Sequence, residues 1–463
     1  MSNGNWVAIW LGLMAVALGG CNQKPTYVRP EVPLPSQWPD LVAYGGREVR
    51  HLDWRTFFTD PRLKALIALA LENSRDLRVA MARVAEARAL HGVHGAETMP
   101  TVIVGGGDAV ARLPGDLAGT GQPSLSRRYD VSLGIAAFEL DFWGRVSSLR
   151  DAALASFLAT EQAYRSFRLV LIADVVDAYL AQRESVQRLA LARDTLRART
   201  ESLVLVKKRQ EAGLASDLDY LSADGALQAV RGDIAALERQ REAVDNSMRL
   251  LVGLLPDDLP GGLPLNEQGL DLDLAVDLPA EVLLRRPDVH AAEQTLIAAN
   301  ANIGAARAAF FPRIALIGNF GTASSALSGL FRAGSEAWVF QPSLTLPLFD
   351  GGRNQANVDI AEARKVIAVA QYERTLQHAF REVADLLAAR GRLRQQLDAQ
   401  EAAERVQAQR LNIVEARYRG GIASYLELLD AQRDSLAARQ ATVQLRRQWL
   451  STANQLFKTL GAG

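Results

Sequence analysis

Cysteine occurs once in this chain, at Cys21, so no disulfide can form within it. A surplus of charge is missing too. The 52 basic residues balance 52 acidic ones, which removes the excess of one sign that points to a nucleic-acid partner. Aromatic residues are sparse at 6%, and no run of ~20 apolar residues follows the N-terminus, so no ordinary spanning helix is expected. Proline and glycine are absent between Val146 and Glu211. At ~1.5 Å per residue that stretch makes a helical rod of roughly 100 Å, longer than any globular core needs. What fills the chain instead is Ala, Leu, Arg, Gln and Glu, the composition of long helices. The length of 463 residues suggests two or three domains.

The N-terminus differs from the rest. Trp6–Leu18 is an apolar run of signal-peptide length, and it ends in Leu18-Gly19-Gly20-Cys21. Small residues before a cysteine let a peptidase approach the backbone, and the pattern resembles a bacterial lipobox. That resemblance implies cleavage after residue 20, a lipid (diacylglycerol and palmitate) on Cys21, and, with Asn at position 22, the outer membrane. The n-region MSNGN carries no Lys or Arg. The competing reading is an ordinary signal peptide with an incidental cysteine.

Beyond the leader the chain repeats itself. Asp76 aligns with Asp288 and Pro100 with Pro312 at an offset of 212. Later the offset is 208, pairing Gly144-Arg145 with Gly352-Arg353, Asp177 with Asp385 and Gly253 with Gly461. This is a tandem duplication, too long to be a short solenoid unit. Within each half the hydrophobic period changes twice. Residues 63–97 and 287–310 read as helices. Period-two segments follow, with Tyr129, Val131, Leu133 and Ile135 alternating with polar or small residues in one, and Trp338, Phe340, Leu344, Leu346 and Leu348 in the other. Their partners are residues 101–111 and 313–323, joined through Gly-, Ser- and Pro-rich loops. Each half therefore holds one hairpin. Strands of about ten residues suit a tilted membrane strand, one face toward lipid. Pro342 and Pro347 would cost ladder hydrogen bonds and mark an end or a bend of the last strand. The helices after each hairpin carry heptad stripes (Leu227, Ile234, Met248; Leu429, Leu436, Val443, Leu450, Phe457), the mark of long helices packed side by side.

The two long helices of each half meet at a repeated turn. Gly213, Ala215, Ser216, Leu218, Leu221 and Ala223 have identical partners in Gly421, Ala423, Ser424, Leu426, Leu429 and Ala431. Gly213 and Gly421 suit the left-handed position that ends a helix. Ser216 with Asp219, and Ser424 with Glu427, have capping-box spacing. A connection of two or three residues is expected, forcing the helices antiparallel. Four amphipathic strands cannot close a membrane barrel, and an open edge in lipid leaves N–H and C=O groups unpaired at several kcal/mol each. Several copies must therefore share one sheet, with the helical hairpins continuing it as a tube.

The lipobox, the YVRPEVPLP segment at 27–35, the duplicated hairpin order and YRGGIASYLELLDAQR at 418–433 together resemble the TolC-like outer-membrane efflux proteins, in particular their lipoprotein members serving resistance-nodulation-division pumps. The resemblance covers nearly the whole chain. It implies a fold that is mainly α with a membrane β-barrel: a homotrimer whose long antiparallel helical hairpins form an α-barrel and whose four strands per protomer build a shared 12-stranded β-barrel. It implies a periplasmic adaptor and an inner-membrane pump as partners. It also implies a tip closed at rest by rings of Leu426 and Asp430. These residues lie four apart on one helix face, so a three-fold axis would bring three leucines and three carboxylates together. The first-half counterparts are Leu218 and Ser222, so only the second hairpin carries the charge. Read without the resemblance, Leu426 is a packing knob and Asp430 a solvated acid.

These readings divide the chain into a signal peptide (1–20), an anchor and tether (21–60), a first repeat (61–253, with a β-hairpin at 100–142 and a helical hairpin at 144–252), a linker (254–280) and a second repeat (281–463, with hairpins at 312–349 and 352–460). The linker and the chain ends are expected to pack as a collar. His91, His94 and Glu97 have helical spacing that could ligate a metal, but their echoes are Ile303, Ala306 and Ala309, and no metal is expected. Gly105-Gly106-Gly107 lacks the Lys-Ser/Thr of a phosphate loop, and no nucleophile–base pair emerges, so neither an enzyme nor a cofactor other than the lipid is expected. The expected function is passive conduction of small molecules through an outer-membrane exit duct. Two other readings stay open, a non-conducting coiled-coil scaffold lipoprotein and a duct for protein secretion.

Overall fold

The stretch without proline or glycine is a single helix, and so is its echo: Arg145–Glu211 and Arg353–Arg419 each run 67 residues. The structure is a computed structural model, and it describes residues 22–31, 35, 38, 53–118, 121–253, 255–256, 258–269 and 280–460. The order of elements is α1 (Trp54–Phe57), α2 (Pro61–Asn73), α3 (Arg75–Ala96), β1 (Val102–Leu113), β2 (Ser124–Leu140), α4 (Arg145–Glu211), α5 (Asp217–Val252), α6 (Pro287–Ala308), β3 (Arg313–Ser324), β4 (Glu336–Thr345), α7 (Arg353–Arg419) and α8 (Tyr425–Thr459). The signal peptide and Cys21 lie outside the described residues, as do residues 39–52 of the tether and 270–279 of the linker.

The helix expected over 63–97 is in fact two. Ser74 adopts extended backbone, ends α2 through its N–H to the Ala70 carbonyl, and starts α3 by accepting from the Leu77 N–H at 3.2 Å. A serine that offers its own hydroxyl to the backbone competes with helix continuation.

Two compact units emerge. The first comprises Met1–Glu31, Ala82–Glu161 and Ala291–Glu373. It holds one antiparallel sheet in the order β1-β2-β3-β4. At 17 residues β2 is longer than the expected ten, and Ala137, a left-handed non-glycine at φ 45°, sits in a bulge that shifts the β2–β3 register between Ile135 and Phe138. The last strand stops at Thr345, so Pro347 is outside it; Pro342 is inside, opposite Leu316, on a strand whose other edge has no partner among the described residues. Below the sheet, residues 22–31 lie as an extended strap. Lys24 Nζ pairs with Asp151 at 2.7 Å, the Asn300 side chain donates to the Pro25 carbonyl at 2.7 Å, and Tyr27 and Arg29 both donate to buried Glu293 at 2.6–3.1 Å. Burial, with Glu293 beside it, pushes the Tyr27 phenol up to about 12. Gly304 admits the strap: a Cβ there would stand 2.7 Å from both Lys24 Cα and Ser148 Oγ.

The second unit comprises Val32–Met81, Gln162–His290 and Arg374–Gly463. Its main core packs α1 and α2 (Phe57, Phe58, Leu63, Leu66, Ile67) on the buried stripe of α4 (Ile172, Val175, Val176, Tyr179) and on Met248, Leu450, Leu456 and Phe457. The heptad residues Leu227, Met248, Val443, Leu450 and Phe457 are buried. Asp60 is the polar hub. One oxygen caps α2 at the Arg62 and Leu63 N–H groups, while the other accepts from Tyr179 at 2.6 Å, Gln268 at 2.7 Å and the Leu263 N–H at 3.0 Å. Burial opposes its ionisation, but these donors win and hold the carboxyl below its ordinary value.

Candidate functional site

The register of the sheet sorts its side chains. Val104, Leu133, Phe320 and Trp338 stand opposite one another in a single row across all four strands, and Val102, Ile135, Gly318 and Phe340 form the next row but one. The rows that alternate with them, on the other face, read Gly105, Ser132, Gly321, Ala337 and Ile103, Gly134, Asn319, Val339. In these rows one face is thus large and apolar but for Gly318, while the other is mostly small, with Ser132 and Asn319 its polar members. Trp338 is 73% exposed, and Val104, Phe320 and Phe340 are exposed as well. Contiguous bare apolar surface of this kind marks an interaction surface, and on amphipathic strands it suits a lipid face. No described helix is long and apolar enough to cross a membrane.

At the helical turns the backbone is the expected one, built with more residues. Each connection takes five, Ala212–Ser216 and Gly420–Ser424, rather than two or three. The extra length is capping chemistry. Leu214 N–H bonds the Arg209 carbonyl at 2.7 Å and Gly213 N–H that of Gln210 at 2.9 Å, and Ile422 and Gly421 repeat this with Arg417 and Tyr418. Gly213 and Gly421, at φ +72° and +74°, hold the left-handed position that this Schellman arrangement requires. Ser216 and Asp219 form a complete capping box; at Ser424 only the serine's half forms, accepting from the Glu427 N–H at 3.2 Å.

Leu426 is the second residue of α8 and is 63% exposed. Asp430, one turn on, is half-buried and pairs with Arg433 at 3.3 Å. Arg433 reaches Asp434 at the same distance, and Asp434 pairs with Arg410 of α7 at 2.8 Å. The guanidinium of Arg410, with Arg433 behind it, holds the Asp434 carboxyl below the usual carboxylate range. Sequence reasoning missed Arg433, although its i, i+3 spacing from Asp430 is a readable signal. At the offset of 208 its echo is Gly225, so the first hairpin lacks both members of the pair; Leu218 there is exposed too.

Beneath the turns Val206, Ala223, Tyr418, Tyr425 and Leu428 form a small core, with the tyrosine rings 5.8 Å apart. Arg199 is buried against Tyr425, with Nε and Nη1 unpartnered among the described residues, and desolvation pulls its pKa down. His94 pairs with Glu97 at 3.4 Å, and no group of three or more His, Cys, Asp or Glu that could hold a metal occurs among the described residues. Cys21 itself is outside them, but its neighbour Gln23 donates to the Trp143 carbonyl at 3.4 Å, and a Cβ on Gly144 would meet the Asn22 side chain at 2.9 Å.

The chain is similar over nearly all its length to proteins of known kind. It is 42% identical to outer membrane protein OprJ of Pseudomonas aeruginosa, covering 97% of this chain and 95% of that one. It is equally identical, over the same shares, to the toluene efflux pump outer membrane protein TtgF of Pseudomonas putida. Among solved structures it resembles a Pseudomonas aeruginosa membrane protein (TM-score 0.89, 41% identity, 95% of this chain and 100% of that one). It also resembles the open state of the Neisseria gonorrhoeae MtrE outer membrane channel (TM-score 0.86, 35% identity, 96% and 98%). The profile of the outer membrane efflux protein family matches residues 66–254 and 278–462, one match to each repeat. With its duplicated strand-and-helix hairpins, the chain belongs to the outer membrane efflux protein family.

Proposed function

We propose that this protein is the outer-membrane exit duct of a tripartite efflux system, conducting small molecules passively from a periplasmic adaptor and an inner-membrane pump to the exterior. One observation carries the reading. The four-stranded sheet has an apolar face and two edges, β1 and β4, with no partner in the described chain. Unpaired edges are intolerable in hydrocarbon, so β1 of one copy pairs with β4 of the next until the ring closes. Three copies give twelve strands, in line with the trimeric architecture of the family. A lipid on Cys21 would hold the strap at the membrane, and Leu426 with Asp430 would close the resting tip. Opening would splay the helical hairpins and separate the three copies of these residues.

Purified protein in planar bilayers tests this. A trimeric mass in detergent and discrete single-channel currents are expected. A monomer that passes no current, its sheet wet on both faces, would leave the anchored scaffold in its place.

A further inference from the structure

At one end of the sheet, where β2 and β4 run into α4 and α7 and α6 runs into β3, a cavity of about 340 Å³ opens. Its lining combines two kinds of chemistry. Trp143 and Phe311 stack with ring centroids 4.7 Å apart, and Arg145, Arg313 and Arg353 bring three guanidinium groups. The acids beside them are already committed. Glu139 takes Arg145 in a two-pronged pair at 2.8 and 2.9 Å and Arg313 at 2.6 Å. Asp141 caps α4 at the Val146 and Ser147 N–H groups, and Asp350 caps α7 at those of Gly352 and Asn354.

The Arg353 guanidinium makes no hydrogen bond or salt bridge among the described residues; its backbone N–H bonds the Asp350 carbonyl at 3.4 Å, and its charge acts on the Asp350 carboxylate from farther off. The duplication explains why. Arg353 is the echo of Arg145, but the echo of Glu139 is Pro347, so the second repeat keeps the cation and drops its acid. Directly beside Pro347 stand Leu348 and Phe349, 91% and 93% exposed in the single protomer, the barest large apolar side chains among the described residues. A cation without a salt bridge, an aromatic stack and bare apolar side chains at the end of an amphipathic sheet are complementary to a molecule with a negative head and a hydrocarbon tail.

We propose that this junction is a binding site for an anionic phospholipid, its phosphate at Arg353 and its acyl chains along Leu348 and Phe349. The site rests on the reading that the sheet is embedded in a bilayer. Bound there, the lipid would supply in the second repeat the negative charge that Glu139 supplies in the first.

Native mass spectrometry of the full-length protein, exchanged into equal amounts of phosphatidylglycerol and phosphatidylcholine, tests it. Phosphatidylglycerol retention about fivefold above phosphatidylcholine is expected, the equivalent of ~1 kcal/mol for one arginine at the surface. Arg353→Gln should abolish the preference and Arg353→Lys should keep it. Cys21→Ser should also keep it, since a preference lost with that variant would assign the site to the chain's own acyl groups and overturn the proposal. Equal retention of the two lipids, an unchanged preference in Arg353→Gln, or full displacement of phosphatidylglycerol by millimolar inorganic phosphate would overturn it as well. Wild-type conductance separates the two readings. A conducting trimer without lipid preference strikes only this site, whereas a non-conducting monomer strikes the channel and the site together.

Discussion

Leu426→Ala is the sharpest perturbation of the resting tip. The side chain is 63% exposed in one protomer, so in the proposed closed tip a ring of three would bury that remaining surface. Fully burying a leucine is worth ~1.5–3 kcal/mol, so the exposed share is worth roughly 1–2 kcal/mol per copy and about 3–6 kcal/mol per ring. A swing of ~5.5 kcal/mol takes a two-state equilibrium from one side to the other. Truncating the ring should thus convert a mostly closed duct into one open for a large fraction of the time. Folding should hardly change, because a side chain this exposed contributes little to the protomer's core. Asp430→Ala removes a surface pair to Arg433 worth at most ~1 kcal/mol, so its effect on conductance is also separable from stability. Single-channel recording with each variant and the double variant is the assay. A properly assembled Leu426→Ala trimer with wild-type open probability would show that the apolar ring is not the closure.

Three further outcomes follow from packing. Asp60→Asn should lower the thermal midpoint, since about 2–4 kcal/mol of charge-assisted hydrogen bonding from Tyr179, Gln268 and the α2 cap is lost. The sign of the pH dependence is fixed by the depressed carboxyl: its stabilisation is complete above the ordinary value of ~4 and disappears as pH falls through the folded one, so wild type and variant should converge in acid, and parallel melting curves from pH 7 to 3 would count against it. Arg199→Met should stabilise by ~1–3 kcal/mol, because the buried cation lacks a carboxylate partner among the described residues and methionine fills similar space; a lower midpoint in thermal unfolding would reveal a partner supplied by another copy. Gly304→Val places side-chain atoms where Lys24 and Ser148 already sit, so limited proteolysis should release the strap while the sheet stays protected.

Much of this was legible before any coordinates because repetition and periodicity are long-range signals. The echo between Gly213 and Gly421 located both turns, and the alternation through Tyr129–Ile135 located a strand. What escaped was set by single hydrogen-bond choices. Ser74 carries no proline or glycine to announce that one helix becomes two, and only its hydroxyl bond to Leu77 does so. Five-residue connections replaced shorter ones because both a Schellman end and a serine cap had to fit. Arg433 was overlooked because i, i+3 charge pairs are commonplace on helices, and Arg353 because its meaning lies in the acid that Pro347 replaced. The face of each strand was readable, but the row joining Val104 to Trp338 depends on a register that the loops and the Ala137 bulge decide.

The strap has a consequence for biogenesis. Within residues 24–29, Lys24 meets Asp151, 127 residues on, but Pro25, Tyr27 and Arg29 meet Asn300 and Glu293 only more than 260 residues later. The strap can therefore be held in part by the first repeat, but its seating is complete only once the second repeat has been made.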